Sequence, residues 1–380
     1  MEWAALILSY AGSAVGYIAP FIFVIGLVVF VHEFGHFIVG RLCGAEVKVF
    51  SLGMGKELVG HTDRHGTRWR LSAIPLGGYV KFAGDRNAVS APDATALAAM
   101  TDAERRASLA GQPLLRRAAI VGAGPIANFL LGIIVFAGLA YVLGQTKLSP
   151  RIENIVPDSP AERAGFQKGD VVKSIDGEPI DSFSDIFRIV SIRSDEVLTI
   201  LVERGGRVVP LSAAPALTVV KTAVGPQRWG VLGLGASDDP NDQKTTFPSL
   251  ARALGLGVAE SWSIVTRTVE YVSRVVAGRS PPDQFSGTIQ IARLSGAAAS
   301  IGFAALLNLA AIISVSLGLV NLLPVPMLDG GHLLFYAIEA VRGKPLSQRA
   351  QEFGLRFGLA LVLLLVIFVT FNDIWRLTAS

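Results

Sequence analysis

Residues 28–40 read Val-Val-Phe-Val-His-Glu-Phe-Gly-His-Phe-Ile-Val-Gly and place three ionisable side chains inside an apolar segment. The preceding run, from Ile18 to Val31, carries no charge. On a helix, His32 and His36 lie about one turn apart, so both imidazoles project from one face and can bind one metal ion. Glu33, next to the first imidazole, is placed to take a proton from an attacking water. Because ionisable groups are costly in lipid, the stretch predicts a catalytic metal centre within a membrane span.

The composition is typical of a polytopic membrane protein. Hydrophobic residues make up 51% of the chain, charged residues make up 17%, and the mean hydropathy is +0.50. A helix needs about 20 apolar residues to cross a bilayer, so we expect a polytopic α-helical membrane protein with about four transmembrane helices. The first apolar segment has no basic leader and is too long for a signal-peptide core, so we expect it to be retained. The candidate segments are Ile18–Val39, Ala118–Leu143, part of Leu294–Leu328, and the shorter Phe357–Phe371.

The distribution of charge predicts the orientation of the chain. Residues 41–117 carry 12 Lys and Arg against 7 Asp and Glu, whereas residues 145–301 carry 17 of each. Four further basic residues lie between the third and fourth segments, in residues 332–356. Since cytoplasmic loops are enriched in Lys and Arg, residues 41–117 and 332–356 are predicted to be cytoplasmic and both termini to lie on the outer side. The net charge of +4 then reflects orientation and gives no reason to expect a nucleic-acid partner.

The only cysteine, Cys43, excludes an intramolecular disulfide. It follows the metal motif on the predicted cytoplasmic side, where thiols stay reduced. We expect an inert, buried thiol, and a thiolate ligand to the metal is the alternative.

Residues 46–82 predict a β-hairpin region close to the metal motif, because apolar and polar side chains alternate there between Gly-containing turns. Its free edge could pair with an unwound substrate strand, or the sheet could serve only for packing. The second span contains Gly122-Ala-Gly-Pro-Ile-Ala-Asn128. Its small residues allow close helix contact and its asparagine can hydrogen-bond across helices, so packing and a catalytic role both remain open for Asn128.

A soluble module follows the second span. The sequence Ala161-Glu-Arg-Ala-Gly-Phe-Gln-Lys-Gly-Asp170, followed by Ile175-Asp-Gly177, resembles a PDZ domain of the bacterial, circularly permuted kind. Such a domain binds an extended segment or a C-terminus by strand addition. No Gly-Leu-Gly-Phe loop for a carboxylate is evident, so a peptide receptor and a steric gate are both open.

The next two segments are predicted to be a linker and a helix. Residues 223–246 contain Gly, Asp and Pro and are expected to be a linker. From Leu250 to Val276 apolar residues recur at steps of three and four, which predicts an amphipathic helix. The helix could lie along the membrane interface or pack on the neighbouring domain.

The third span ends in Asn321-Leu-Leu-Pro-Val-Pro-Met-Leu-Asp329-Gly-Gly-His332. The two prolines break the helix and free backbone groups that lipid cannot satisfy. Asp329 follows at the end of the apolar stretch and can share the depth of His32 in the membrane. It can therefore supply the third protein ligand of a catalytic zinc, which leaves a fourth position open. His332 is the alternative third ligand.

Together the intramembrane His-Glu-Phe-Gly-His, Gly-Pro-Ile-Ala-Asn, the PDZ-like insert and Asn-Leu-Leu-Pro-Val-Pro-Met-Leu-Asp-Gly resemble the site-2 protease family, in particular its bacterial regulator-of-sigma-E protease branch. The resemblance covers nearly the whole chain in order. It implies an intramembrane zinc metalloendopeptidase of the bacterial inner membrane, with one zinc on His32, His36 and Asp329 and with Glu33 as general base. The best-known members of the branch carry two tandem PDZ domains, whereas this chain has room for one.

The resemblance also implies substrates and partners. The expected substrates are single-span membrane proteins already shortened on the outer side, such as anti-sigma factors, or remnant signal peptides, cleaved in regulated intramembrane proteolysis. The other partners are the lipid bilayer and a possible peptide at the PDZ-like domain. The residues expected to position substrate are Asn321, Asn128, Tyr79, Val80 and Lys81.

Two other classes of protein share features of this sequence. A zinc transporter also uses intramembrane His and Asp, but it would favour polar groups along a path, and the sequence shows no second intramembrane cluster. An inactive PDZ-bearing membrane scaffold would not need Glu33 beside a complete ligand set. The expected domains are 1–45 (first transmembrane helix), 46–116 (hairpin region and loop), 117–144 (second helix), 145–222 (PDZ-like domain), 223–292 (linker and amphipathic helix), 293–331 (third helix with Asp329) and 332–380 (loop and fourth helix).

Overall fold

The computed structural model describes residues 2–85, 99–222, 225–237, 239, 242–278 and 287–378. The helices in these ranges are α1 (Glu2–Leu42), α2 (Asp102–Ala107), α3 (Leu114–Leu143), α4 (Pro160–Arg163), α5 (Phe183–Val190), α6 (Leu250–Val276), α7 (Thr288–Ile301), α8 (Phe303–Asn321), α9 (Asp329–Arg342) and α10 (Gln348–Thr378). The strands are β1 (Val47–Thr62), β2 (Arg68–Phe82), β3 (Gln145–Leu148), β4 (Ile152–Ile155), β5 (Val171–Ile175), β6 (Glu178–Pro179), β7 (Leu198–Arg204), β8 (Arg207–Ala213), β9 (Ala216–Thr222), β10 (Gly225–Val231), β11 (Leu234–Ala236) and β12 (Gln243–Thr246). The chain divides into two compact units: Met1–Phe136, Gly257–Val265 and Gly287–Phe371 form the first, and Ala137–Leu256, Thr266–Ser286 and Asn372–Ser380 form the second.

Four helices among the described residues are long and apolar enough to cross a membrane, which confirms the predicted number. The candidate spans lie in α1, α3, α8 and α10. In α10 only 6% of the most apolar window is buried. Its leucine, isoleucine and phenylalanine side chains are therefore left to face lipid, which tolerates a helix because all its backbone groups bond internally. The spans are Gly16–Leu42, Leu114–Leu143, Phe303–Asn321 and Arg349–Ile374.

The third span ends earlier than predicted, and Asp329 does not belong to it. Helix α8 stops at Asn321, and a seven-residue loop leads to α9, whose first residue is Asp329. The predicted span within Leu294–Leu328 is present as α8, but the range 293–331 is not one helix, because α7, α8 and the start of α9 share it. The prolines in the loop cannot continue a helix. A side chain at Gly330 would come within 2.2 Å of the Leu323 carbonyl oxygen, so only glycine allows α9 to start this close to the end of α8.

The two hairpin strands pack on α1 through an aromatic cluster. β1 and β2 pair antiparallel. Residues 49–52 of β1 pair on one side with residues 68–71 and on the other with residues 78–81, so the first half of β1 lies between the two ends of β2. The Phe37 ring of α1 lies 5.6 Å from the Phe50 ring and 4.8 Å from the Trp69 ring, between centroids. This cluster holds the hairpin against the helix that carries the metal motif.

Asp63 closes the turn of the hairpin. Its carboxylate accepts hydrogen bonds from Nε1 of Trp69 at 3.1 Å, from Nη2 of Arg41 at 2.8 Å, and from the backbone N–H groups of His65 and Thr67. Desolvation by itself would raise the pKa of Asp63, but these donors and the charge of Arg41 lower it to about 2. The carboxylate therefore stays ionised and ties β2 to the end of α1.

The second unit contains the α/β insert predicted after the second span. A four-stranded sheet has the order β6-β5-β7-β8. Its core is apolar and includes the fully buried Ile152, Val172 and Ile200, while α5 contributes Ile186 and Ile189.

The prediction of a linker over residues 223–246 is wrong. The described residues of this stretch form β10, β11 and β12, which pair with β9, β4 and β3 respectively. β4 and β3 lie far upstream at the start of the same module. Strands of three or four residues carry no local signal for such distant partners, because strand formation depends on tertiary context.

The predicted amphipathic helix is present as α6. Its apolar stripe is largely exposed and includes Leu250, Val258 and Trp262. Ile264, from the segment of α6 that belongs to the first unit, packs in one cluster with Phe136, Ala311 and Val315. Its position relative to a membrane interface stays a prediction.

Candidate active site

The two histidines of the motif meet Asp329 in the first unit. Nε2 of His32 lies 3.2 Å from Nε2 of His36 and 3.2 Å from Oδ2 of Asp329. Nε2 of His36 lies 3.5 Å from the same carboxylate oxygen. Helix α1 presents both imidazoles on one face, and the first residue of α9 brings the carboxylate to them. Both histidines are buried.

The other ring nitrogens face α3. Nδ1 of His36 lies 2.9 Å from the backbone carbonyl oxygen of Ile120. A carbonyl only accepts hydrogen bonds, so this nitrogen carries the proton and leaves the lone pair of Nε2 directed at the cluster. Nδ1 of His32 lies 3.2 Å from the side-chain amide of Asn128, which is completely buried.

The cluster fits a zinc ion. Ligand atoms about 2.0–2.2 Å from a tetrahedral zinc lie about 3.3–3.6 Å from one another, close to the three separations found here. Oδ2 of Asp329 is buried and has no hydrogen-bond donor among the described residues. Burying several acceptor atoms together without a hydrogen-bond donor is energetically costly, and a cation bound between them offsets that cost.

Glu33 lies at the same cluster and lines a cavity of about 370 Å³ together with His32, His36 and Asp329. Its carboxylate lies near the backbone N–H of Val80 in β2. β2 passes close to α1 at Gly78. A Cβ atom at this position would lie 3.1 Å from Cγ of Glu33. The carboxylate is thus held between the helix and the hairpin, at the wall of the cavity.

A glycine of the second span makes room for the imidazoles. A Cβ atom at Gly124 would lie 2.3 Å from Nε2 of His36 and 2.8 Å from Cε1 of His32. A Cβ atom at Gly35 of α1 would lie 2.5 Å from the carbonyl oxygen of Ala123. The small residues of Gly122–Asn128 indicate close helix packing, but the sequence does not show that Gly124 faces the metal motif.

The residues predicted to position substrate divide into two groups. Asn321, Tyr79 and Val80 line the cavity. Asn128 and Lys81 are not among its lining residues; Asn128 contacts His32, and Lys81 follows Val80 on β2.

His332, the alternative ligand, lines the cavity. It is not part of the group of described His, Cys, Asp and Glu residues whose ligand atoms converge, which consists of His32, His36 and Asp329. The same holds for Cys43, whose free thiol is partly buried and not fully buried as predicted.

An ion pair fastens α9 to the start of α3. Arg117 donates two hydrogen bonds to the Glu339 carboxylate, one of 3.1 Å from Nη1 to Oε2 and a second from Nη2 to Oε1. The Arg117 guanidinium also lies over the Tyr336 ring, 5.0 Å from its centroid. Burial, opposed by the charge of Arg117 and helped by the carboxylates of Asp85 and Glu339, raises the pKa of Tyr336 to about 12. The phenol is therefore neutral at physiological pH. No sequence motif indicates this pair, since its partners are 222 residues apart.

The described residues combine four candidate membrane spans with a His-His-Asp cluster that could hold a metal ion, and comparison with known proteins identifies the class. The model of Peptidase family M50 matches residues 20–365. The chain therefore belongs to peptidase family M50, the site-2 protease family. It is a membrane zinc metalloprotease.

Relatives of similar length support the assignment. "Putative zinc metalloprotease R01501" of Rhizobium meliloti (strain 1021) is 46% identical over 94% of this chain and 96% of its own. "Metalloprotease MmpA" of Caulobacter vibrioides is 39% identical over 93% of this chain and 94% of its own. Among solved structures, the PDZ domain of the SdrC-like protein from Listeria innocua aligns with 24% of this chain and 96% of its own, at 18% identity and a TM-score of 0.20.

Proposed function

We propose that this protein is an intramembrane zinc endopeptidase, with zinc held by His32, His36 and Asp329. The observation that carries the proposal is that the two histidines and Glu33 lie within a candidate membrane span and meet Asp329 at a cavity. Zinc at this place supplies Lewis-acid activation of water and of the scissile carbonyl. Three protein ligands leave a coordination position open, as a catalytic site requires.

Glu33 is the general base in this proposal. Its carboxylate lies at the wall of the cavity that the ligand cluster also lines, near the Val80 N–H. It takes a proton from the attacking water and delivers it to the nitrogen of the leaving amine. The side-chain amide of Asn321, which lines the same cavity, positions the substrate or polarises its carbonyl.

The substrate class is a membrane-spanning segment of a single-span protein, such as an anti-sigma factor or a remnant signal peptide. A transmembrane helix engages its carbonyls in internal hydrogen bonds, so the segment has to unwind before it is cut. The backbone of residues 78–80 runs along the cavity and offers a strand for the unwound segment to pair with. Such cleavage is regulated intramembrane proteolysis.

The α/β insert of the second unit is PDZ-like in this proposal and binds an extended segment or gates access. Among the described strands, β11 pairs only with β4. β10, which ends shortly before β11, runs past α5, since the Gly230 N–H donates to the carbonyl of Ser191 and the rings of Trp229 and Phe187 are 5.1 Å apart. A free strand edge near a helix is how PDZ domains hold peptides.

The proposed location is the bacterial inner membrane. Both termini and the α/β insert lie on the outer side, and the active site lies in the membrane towards the cytoplasm. The charge asymmetry between residues 41–117 and 145–301 supports this orientation.

The proposed function is tested by cleavage of a single-span test substrate by the purified protein in detergent. Glu33→Gln should bind one zinc as the parent does but cleave about 10²–10⁴-fold more slowly, the usual contribution of a general base. The matched control is Glu46→Gln, which removes a half-exposed carboxylate paired with Lys48 at the start of the hairpin and should cleave like the parent.

Three results would contradict the proposal. Cleavage by Glu33→Gln at the parental rate would show that another group is the base. A parent that binds one zinc but cuts no spanning segment would favour a scaffold. Zinc uptake into vesicles by the reconstituted protein, without proteolysis, would favour a transporter.

A further inference from the structure

Asn128 has a property that packing alone does not explain. It lies within α3, its side chain is 0% exposed, and Nδ2 of its amide faces Nδ1 of His32 at 3.2 Å. The other end, Oδ1, has no hydrogen-bond partner among the described residues. Keeping a polar side chain buried with an unmet hydrogen bond is unfavourable, and an apolar residue of similar size would avoid it. The contact with His32 is therefore the feature that explains an asparagine here.

Helix α3 contacts Nδ1 of both histidines. Ile120, Gly124 and Asn128 are spaced by four residues and form one stripe of the helix. The Ile120 carbonyl lies against Nδ1 of His36, the missing side chain of Gly124 leaves room for both rings, and Asn128 reaches Nδ1 of His32. One helix face thus contacts the second nitrogen of each histidine.

The protonation of His32 follows from what its Nε2 faces. That nitrogen lies 3.2 Å from Oδ2 of Asp329 and 3.2 Å from Nε2 of His36, so it offers a lone pair to a metal only if the ring proton is on Nδ1. A protonated Nδ1 needs an acceptor. The oxygen and nitrogen of a side-chain amide are alike in shape and are told apart by their partners. The structure places Nδ2 of Asn128 at this position, and a half-turn of the amide exchanges Nδ2 with Oδ1 and so supplies the acceptor that Nδ1 of His32 requires.

We propose that Asn128 is a positioning residue whose amide oxygen accepts a hydrogen bond from Nδ1 of His32 and thereby directs the lone pair of Nε2 at the metal. The proposal rests on the proposed function, in which His32 is a zinc ligand. It replaces the expected role of Asn128 in positioning substrate, because the residue does not line the cavity. Ligand-orienting contacts of this kind typically change metal affinity by about 10–100-fold.

The test measures zinc affinity in detergent by competition with a chelator, and the absorption spectrum of the Co²⁺-substituted protein. Asn128→Leu removes the acceptor at similar volume and should weaken zinc binding about 10–100-fold and alter the Co²⁺ bands. Asn128→Asp keeps an acceptor and should bind zinc at least as well as the parent. The matched control is Ser314→Ala, which removes a buried hydroxyl that donates to the Asn128 backbone carbonyl at 2.9 Å and should leave zinc affinity unchanged.

The outcomes separate this proposal from the one it rests on. If Asn128→Leu binds zinc as tightly as the parent, with the same Co²⁺ spectrum, the positioning role is refuted. Equal losses in Asn128→Leu and Asn128→Asp also refute it, because they would reflect packing. If His32→Ala itself binds zinc like the parent, the ligand assignment under the proposed function fails, whatever Asn128 does.

Discussion

Gly124 is the residue on which the packing of the two histidines depends. A single methyl group there would lie 2.3 Å from Nε2 of His36, far inside van der Waals contact, so the ring has to move. We expect Gly124→Ala to displace the imidazole and to lower kcat/KM at least about 10²-fold, since a displacement of about 1 Å at a catalytic centre has an effect of that size. Zinc content per chain and cleavage of the test substrate measure the effect.

The control lies two residues earlier in the same helix. A Cβ atom at Gly122 would meet nothing within 4 Å, so Gly122→Ala should bind zinc and cleave like the parent. A Gly124→Ala protein with one zinc and the parental rate would show that α3 can move away from α1 without cost. Both glycines belong to the same small-residue motif, and only the packing of α3 on α1 distinguishes them.

At the scale of elements, the position of α9 determines where Asp329 lies. Glu339 is ten residues, or about 15 Å, along the same helix and is bound by Arg117 of α3. Both side chains are 16% exposed, so Arg117→Gln leaves a largely buried carboxylate unpaired, a change that costs about 3–5 kcal/mol for a buried pair. We expect the thermal midpoint of the protein in detergent and its zinc affinity to fall in Arg117→Gln and in Glu339→Gln alike.

The double variant Arg117→Glu/Glu339→Arg distinguishes the contribution of the ion pair from the separate contributions of the two side chains. It should recover a large part of the midpoint and of the zinc affinity, because an ion pair is restored between the same two helices. If the exchanged protein is less stable than both single variants, the contribution comes from packing against Tyr336 and not from the pair.

The elements also show where a local pattern is informative. Helix α6 was predictable from its three- and four-residue steps, and α2 has the capping box of Thr101 and Glu104. The strands β10, β11 and β12 were not predictable from the sequence, because they form by pairing with partner strands and their own residues carry no pattern that indicates a strand. The end of α8 at Asn321 follows from the prolines, but the new helix at Asp329 needs the close approach that Gly330 permits.

For the whole molecule, the orientation in the membrane is testable with single cysteines, because Cys43 is the only native one. In a Cys43→Ser background, Ser184→Cys places a thiol on the exposed part of α5 and Arg64→Cys places one in the exposed turn of the hairpin. A membrane-impermeant maleimide added to intact spheroplasts should label position 184, and position 64 only after permeabilisation. Labelling of position 64 in intact spheroplasts, with position 184 labelled only after permeabilisation, would contradict the proposed topology.

The sequence by itself determined the class of membrane protein, the number of candidate spans, the histidine pair and its adjacent glutamate. These depend on hydropathy and on spacing within one helix, which local chain geometry sets. The convergence of Asp329 on the histidines was a prediction from depth alone, and the structure brings the three ligand atoms within 4.8 Å of one another. The tertiary structure alone decided that Gly124 and Asn128 face the metal motif and that Arg117 binds Glu339. Such contacts join residues far apart in the chain, so they exist only after the helices have packed.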